Sequence, residues 1–386
     1  GRVIDPGRGF DGVADVAIRS DRIMAVEPNI ELANAGTRHV LDAAGLIVVP
    51  GLIDVHTHLF AGVAPLGVEA DPNCLGRGVT TAVDAGSSGG STFPAFRRYV
   101  IEVATTRILA MLHISSIGMA REDSRGDQAV GELEPIGWAH PELAVEVAKA
   151  NPDKIIGIKV RLSIGQVGTD PENCRAAIRL TREAADKAGL PAMIHIGSTT
   201  IPLDEILSYA QKGDLVTHVF HGRPEGILNE KGTVKKSVRD AIERGVTFDV
   251  GHGKGSFSWQ VARAALEQGL LPGTISSDIH SWSLAGPAYD LATTASKFLH
   301  LGVPLTEVLR RITETPARVI GHSGYLGTLA PDAAADVTVL REAEGEWPFT
   351  DCHRQTEIGR LRLEPVAVVR AGQVYPCAPS VYYPPA

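Results

Sequence analysis

The residues best placed to do chemistry lie in Asp54-Val55-His56-Thr57-His58, which closes an apolar run. Residues two apart in a strand project to the same face, so both imidazoles can point inward and grip one cation. Neutral imidazole is a favoured ligand for Zn²⁺ and similar metals. An H-x-H pair alone is a weak signal, because many loops carry one. The rest of the chain strengthens it. Of 13 histidines, eight (His56, His58, His113, His195, His218, His221, His252 and His280) fall at or just beyond the ends of apolar segments rich in Val and Ile. His140, His300, His322 and His353 are scattered instead. Histidines gathered on one rim call for a metal or a substrate.

Lys159 stands inside the apolar segment Ile155-Ile156-Gly157-Ile158-Lys159-Val160. An unpaired ammonium is heavily penalised there. A buried carboxylate could satisfy it, or its stem could carry the charge to solvent. The third possibility is reaction with CO₂ to a carbamate, an anion whose two oxygens can bridge two cations. Desolvation favours the neutral amine that this chemistry needs. Asp278 follows Thr274-Ile275-Ser276-Ser277, where it can cap the next segment or present a carboxylate to a metal. His218 ends its apolar run directly and suits a metal; His221, three residues on, suits a substrate contact.

These side chains need elements to hold them. Apolar strands are expected at Ile47–Val55, Val79–Asp84, Ile108–Ile114, Ile155–Leu162, Ala192–Ile196, Leu215–Phe220, Val246–Val250 and Thr274–Ser277. Helical patterns lie between or after them, at Pro171–Ala188, Pro202–Gln211, Val234–Arg244, Trp259–Gln268, Pro287–Leu301 and Pro304–Ile320. The first opens on Asp170 as N-cap and stops at Gly189. Continuous apolar strands alternating with amphipathic helices indicate parallel strands covered by helices, and eight of them indicate a closed (β/α)8 TIM barrel. Short β runs in 1–46, with Ala335–Leu340 and Pro365–Arg370 near the other end, predict a small β-sandwich domain built from both chain ends. The expected division is 1–46 with 330–375 for the sandwich and 47–329 for the barrel. Gly345–Leu363 reads as a polar irregular loop, and 376–386 as an extended Pro-rich tail.

Composition removes other classes. The 386 residues carry 37 Lys+Arg against 45 Asp+Glu, a formal charge of −8, which argues against a phosphate-tracking surface and hence against nucleic acid. No apolar stretch approaches the roughly 18 residues of a membrane span. The opening GRVIDPGRGF has no basic region leading into an apolar run, so no secretory signal is expected in it. Cys74, Cys174, Cys352 and Cys377 are far apart, which suits a reducing compartment and a cytoplasmic protein. No G-x-S-x-G elbow, P-loop or Rossmann fingerprint occurs.

The run Val48-Val49-Pro50-Gly51-Leu52-Ile53-Asp54-Val55-His56-Thr57-His58 resembles the first-strand motif of the amidohydrolase superfamily, and Gly78-Val79-Thr80-Thr81-Ala82-Val83-Asp84 its second strand. The likeness covers nearly the whole chain. It implies a site of two divalent metal ions, Zn²⁺ by expectation, held by His56, His58, carboxylated Lys159, His195, His218 and Asp278. A hydroxide shared by two such cations is nucleophilic near neutral pH, with Asp278 as the catalytic proton carrier. Within the superfamily the chain is similar to the dihydroorotase-like branch of metal-dependent deacetylases, proteins often labelled dihydroorotase. Leu59-Phe60-Ala61-Gly62 follows His58 where dihydroorotases carry a carboxylate-gripping Arg, and Asp278-Ile279-His280 replaces their Asp-His-Ala-Pro. The resemblance therefore implies deacylation of a small acylated acid: an esterase on acetylated α-hydroxy acids, a deacetylase on N-acetyl amino acids, or both. Arg161, His221, Arg223, His252, Lys254 and His280 are the candidate substrate-binding residues. A homo-oligomer is expected. The alternatives are a dihydroorotase-type cyclic amide hydrolase and a noncatalytic scaffold, which would show a substituted ligand position; none is visible.

Overall fold

A computed structural model describes residues 1–31, 39–120 and 130–378 of the chain. Its first elements are the short strands expected: β1 (Arg2–Asp5), β2 (Phe10–Val13), β3 (Asp15–Arg19) and β4 (Arg22–Glu27). The expected barrel strand Ile47–Val55 is divided. β5 (Ile47–Pro50) pairs parallel with β1 in the sheet of the chain ends, and β6 (Leu52–Thr57) begins the barrel. Gly51 breaks the ladder between them, its N–H donating to Asp336 O at 2.8 Å.

The barrel continues through β7 (Val79–Asp84), β8 (Arg107–His113), β9 (Ile155–Arg161), β10 (Ala192–His195), β11 (Leu215–Thr217) and β12 (Thr247–Asp249), all parallel and neighbours in chain order. Every residue of β6 and β7 is buried, as strands covered on both faces must be. Ile53, Val55, Val83, Leu109, Met111, Met193 and Leu215 form one apolar cluster with Ala317, Ile320 and Leu326. The eighth strand is not a regular one. Thr274 bridges Asp249 and Ile279 bridges Thr57, with Val250 N–H donating to Thr274 O and His58 N–H to Ile279 O. That short segment closes the barrel between β12 and β6.

Helices cover the outside. Pro171–Ala188 has the predicted ends: the Asp170 side chain accepts Glu172 N–H, and Gly189 adopts φ 68°. The expected single helix Pro304–Ile320 is two, Leu305–Arg310 and Glu314–Val319. Between them Arg311 O accepts Ile275 N–H and Ile312 O accepts Ile53 N–H, so carbonyls diverted to the barrel replace helical bonds. Pro316, which has no N–H, cannot bond back across that break.

The largest departure is at 345–363. Instead of a loop, β13 (Val337–Thr350) and β14 (Thr356–Arg370) form an antiparallel ribbon paired from Val337↔Val369 out to Thr350↔Thr356. Its polar composition reflects one wet face, where Arg360 pairs with Glu346 at 2.7 Å. Its other face buries Phe349 and Leu363, and Leu363 N–H donates to Ser296 Oγ at 2.9 Å on the helix Leu291–His300. With β15 (Gln373–Pro376) the end sheet has the order β15-β14-β13-β5-β1-β2. The hairpin β3–β4 lies against it over Val3, Ile23, Val48, Val337, Val339 and Val369. Of the expected tail, Pro376 ends β15 and residues 379–386 lie outside the described residues. No helix among the described residues is long and apolar enough to cross a membrane.

Candidate metal centre and its cavity

Six side chains from five strand ends, His56 and His58 sharing the first, meet at the mouth of the barrel. The pairing of β6 with β7 shifts register between Asp54 and Thr57; His56 lies within that shift and His58 just beyond it. His56 Nε2 and His58 Nε2 lie 3.4 and 3.2 Å from Asp278 Oδ1. Opposite them His218 Nε2 and His195 Nδ1 are 2.9 Å apart, and the His56 and His218 ring centroids are separated by 5.0 Å. His218 and Asp278 have φ of 74° and 46°. Such backbone strain in residues with a Cβ is typical of functional sites.

Hydrogen bonds orient the rings. Thr217 donates to Asp249 Oδ2 at 2.7 Å, so its oxygen accepts from His56 Nδ1 at 2.9 Å. His218 Nδ1 faces Gly251 O at 2.7 Å, a pure acceptor. Both rings thus carry their proton on Nδ1 and keep the Nε2 lone pair for the centre, as in metal sites whose ligands are oriented from behind. Burial, with the neighbouring cationic groups, holds His56 and His195 well below the ordinary imidazole range, and His218 likewise. All three are neutral imidazoles at pH 7.

Lys159 lies at the same level in β9, fully buried, and its Nζ has no hydrogen-bond partner among the described residues. Burial draws its amine down to about 7, against the pull of Asp278. Gly86, at φ 95°, leaves the room: a Cβ there would meet Lys159 Cγ at 2.7 Å. An orphaned, readily deprotonated amine facing several imidazoles and a carboxylate fits carbamate formation and a metal pair. Gly253 serves Asp278 in the same way, since any Cβ at that position would collide with Asp278 Oδ2.

Above this floor opens a cavity of about 600 Å³. Arg161, His221, Arg223, Lys254 and His280 line it, as expected of substrate-binding candidates. His252 does not. It is fully buried, stacked on Phe257 at 4.8 Å, and its Nε2 accepts from Lys297 at 2.6 Å, so its expected contact with substrate is corrected. A strand-end position places a residue near the rim without saying whether its side chain turns inward or behind. His221 and His280 are both drawn down to about 4, chiefly by burial. Their Nδ1 atoms accept the backbone N–H of Arg223 and Trp282, each at 3.2 Å. Each neutral ring therefore keeps Nε2–H as a donor, and that of His221 is buried without a partner among the described residues.

Several residues escaped sequence reasoning. Asp249 anchors Thr217, Thr274 and Ser276, each at 2.7 Å; its strand-end position was the available signal. Glu132 lies 3.4 Å from Arg161 Nε and 3.5 Å from His113 Nε2. Burial raises its pKa, but those two partners outweigh it and leave it lowered. His113, noted as a strand-end residue, thus braces Arg161 through Glu132. Cys352 and Arg354 also line the cavity, and nothing local in the sequence marks them.

Comparison with known proteins gives three findings. The sequence profile described as "Amidohydrolase family" matches residues 47–358. A protein named deacetylase from Brucella anthropi is 34% identical over 94% of this chain and 88% of its own length. Another from Enterococcus faecalis is 32% identical over 97% and 98%. Among solved structures, one described as a dihydroorotase superposes with TM-score 0.84 at 31% identity, covering 95% of this chain and 96% of its own. One described as an adenine deaminase reaches 0.85 at 31%, covering 97% and 98%.

Proposed function

The chain belongs to the amidohydrolase family and is a metal-dependent hydrolase; on that premise we propose that it deacylates small acids, as an esterase on acetylated α-hydroxy acids, a deacetylase on N-acetyl amino acids, or both. The charge of the cavity carries this reading. Arg161, Arg223, Lys254 and Arg354 line it, and Asp278 is its sole carboxylate among the described residues, in a chain of net charge −8. A cationic cleft on an acidic protein favours an anionic substrate by local contacts rather than by long-range steering. Relatives named deacetylase over nearly the full length support the reaction type.

The donor set fits two divalent cations, which we assign as Zn²⁺. His56, His58, His195, His218, Asp278 and the carbamate of Lys159 would hold them. When bound, such cations polarise the acyl carbonyl and lower the pKa of water. The chain's own groups do the rest. Asp278 takes a proton from the attacking water and returns it to the leaving alkoxide or amine as the acyl C–O or C–N bond breaks. The products are a short carboxylic acid and the free hydroxy or amino acid. The Nε2–H groups of His221 and His280 are neutral donors for the substrate's oxygens, and Arg161, held by Glu132, supplies a cation close to the floor.

A dihydroorotase reading has less support. Leu59 and Phe60, which follow His58, are buried in the core, with Phe60 at 4.9 Å from Phe96, so no cation stands there. The four cysteines are free thiols, which supports placing the protein in the cytoplasm. The test is a panel of acetylated hydroxy acids, N-acetyl amino acids of both hands, and dihydroorotate under matched metal conditions. The acyl acids should give the highest kcat/KM; dihydroorotate giving it would overturn the assignment.

A further inference from the structure

The outer wall of the cavity is supplied by a segment that does not belong to the barrel. The ribbon of β13 and β14 runs out of the end sheet along the helix Leu291–His300 and brings its turn, 351–355, to the barrel mouth. There Cys352 and Arg354 line the same cavity as His58 and Asp278. The barrel holds this turn in place. Asp351 is 2% exposed; its Oδ2 accepts Trp259 N–H at 3.1 Å and its Oδ1 accepts His353 and Gln355 N–H at 2.8 and 3.0 Å. Cys352 N–H donates to Phe257 O at 2.8 Å, and Lys297 Nζ to Thr350 O at 2.6 Å.

Arg354 itself sits at φ 61°, in the left-handed region that residues with a Cβ seldom adopt. Strain of that kind gathers where a site requires it. Neither Arg354 nor Arg223 has a carboxylate within ion-pair reach among the described residues; Arg223 makes only a long 3.4 Å contact to Ser198 Oγ. The two belong to adjoining segments, because Gly222 packs directly against His353. Two guanidiniums that line one cavity and have no carboxylate partner among the described residues can each offer a carboxylate the planar two-point contact it favours.

We propose that Arg354, carried in by the ribbon, forms with Arg223 the clamp for the substrate's carboxylate, so that a turn outside the barrel sets the preference for acids. This rests on the acyl-acid reading above. The experiment compares kcat/KM for an acetylated α-hydroxy acid with that for the same molecule bearing a primary amide in place of the carboxylate. In Arg354→Gln the preference for the acid should fall about ten- to a hundredfold, the range of one hydrogen bond to a charged group. Arg354→Glu should lower it further, and Arg354→Lys should recover part of it. An unchanged preference in both Arg354→Gln and Arg354→Glu overturns the clamp and leaves the acyl-acid reading standing. A wild-type enzyme with no preference for the acid overturns both.

Discussion

Lys159 and Lys297 are both fully buried, and burial draws both amines down to about 7. Their surroundings are opposite. Lys297 Nζ donates to His252 Nε2 at 2.6 Å, Thr350 O at 2.6 Å and Pro287 O at 3.0 Å, with the faces of Phe257 and Trp259 at 5.5 and 5.8 Å. Its three protons have three acceptors, and the geometry stands for a retained ammonium that ties a helix, a barrel loop and the ribbon together. Lys159 has none. Burial alone therefore does not identify a functional lysine; the missing partner does, because an interior amine without acceptors requires chemistry or a ligand to justify its cost. The two regions are also connected. His252 Nδ1 faces Gly253 O at 2.9 Å, and Gly253 packs against Asp278, so the satisfied lysine steadies the wall of the unsatisfied one's site.

The sharpest way to break this contrast is at Lys159. Lys159→Ala should abolish hydrolysis, with short carboxylates such as acetate or propionate partly restoring it by occupying the gap. Full activity in the variant, measured by kcat/KM on the best acyl acid, would remove the carbamate from the account. Next in size, Asp278→Asn should lower kcat by roughly 10²–10⁴, the usual worth of positioned acid–base help, with metal content retained. A near-normal kcat would show that another group carries the proton.

The remaining two effects concern stability and set the lysines against each other. Lys297→Met leaves three buried acceptors without a donor and should destabilise the fold by about 3 kcal/mol, read as a lower urea midpoint. The same substitution at Lys159, made in the metal-free protein, removes a buried amine that has no hydrogen-bond partner among the described residues. It should leave the midpoint unchanged or raise it, a gain of at most about 1 kcal/mol in stability. Equal losses at both positions would mean that Lys159 has a structural partner after all.

The clustering of the candidate ligands was legible because strand periodicity fixes which residues share a face and because the strands' shared direction collects their ends on one rim. The helix Pro171–Ala188 was legible for a local reason: its Asp170 cap, Pro171 start and Gly189 stop are all written in adjacent residues. What failed depended on distant partners. The ribbon at 345–363 alternates against another strand and a helix, with only Phe349 and Leu363 among its well-buried apolar residues, so its sequence resembles a loop. His252 shares its position type with the ligands, and only Lys297, 45 residues away, explains its orientation. Arg354 enters the cavity through a turn far along the chain, and no spacing rule connects it to His58.

The most direct test of the account is the divalent metal content of wild type and Lys159→Ala, purified after growth with excess zinc and bicarbonate. The account predicts two ions per chain in the wild type and a marked loss from one position in the variant. One ion or fewer in the wild type, or equal occupancy in the two proteins, would contradict it.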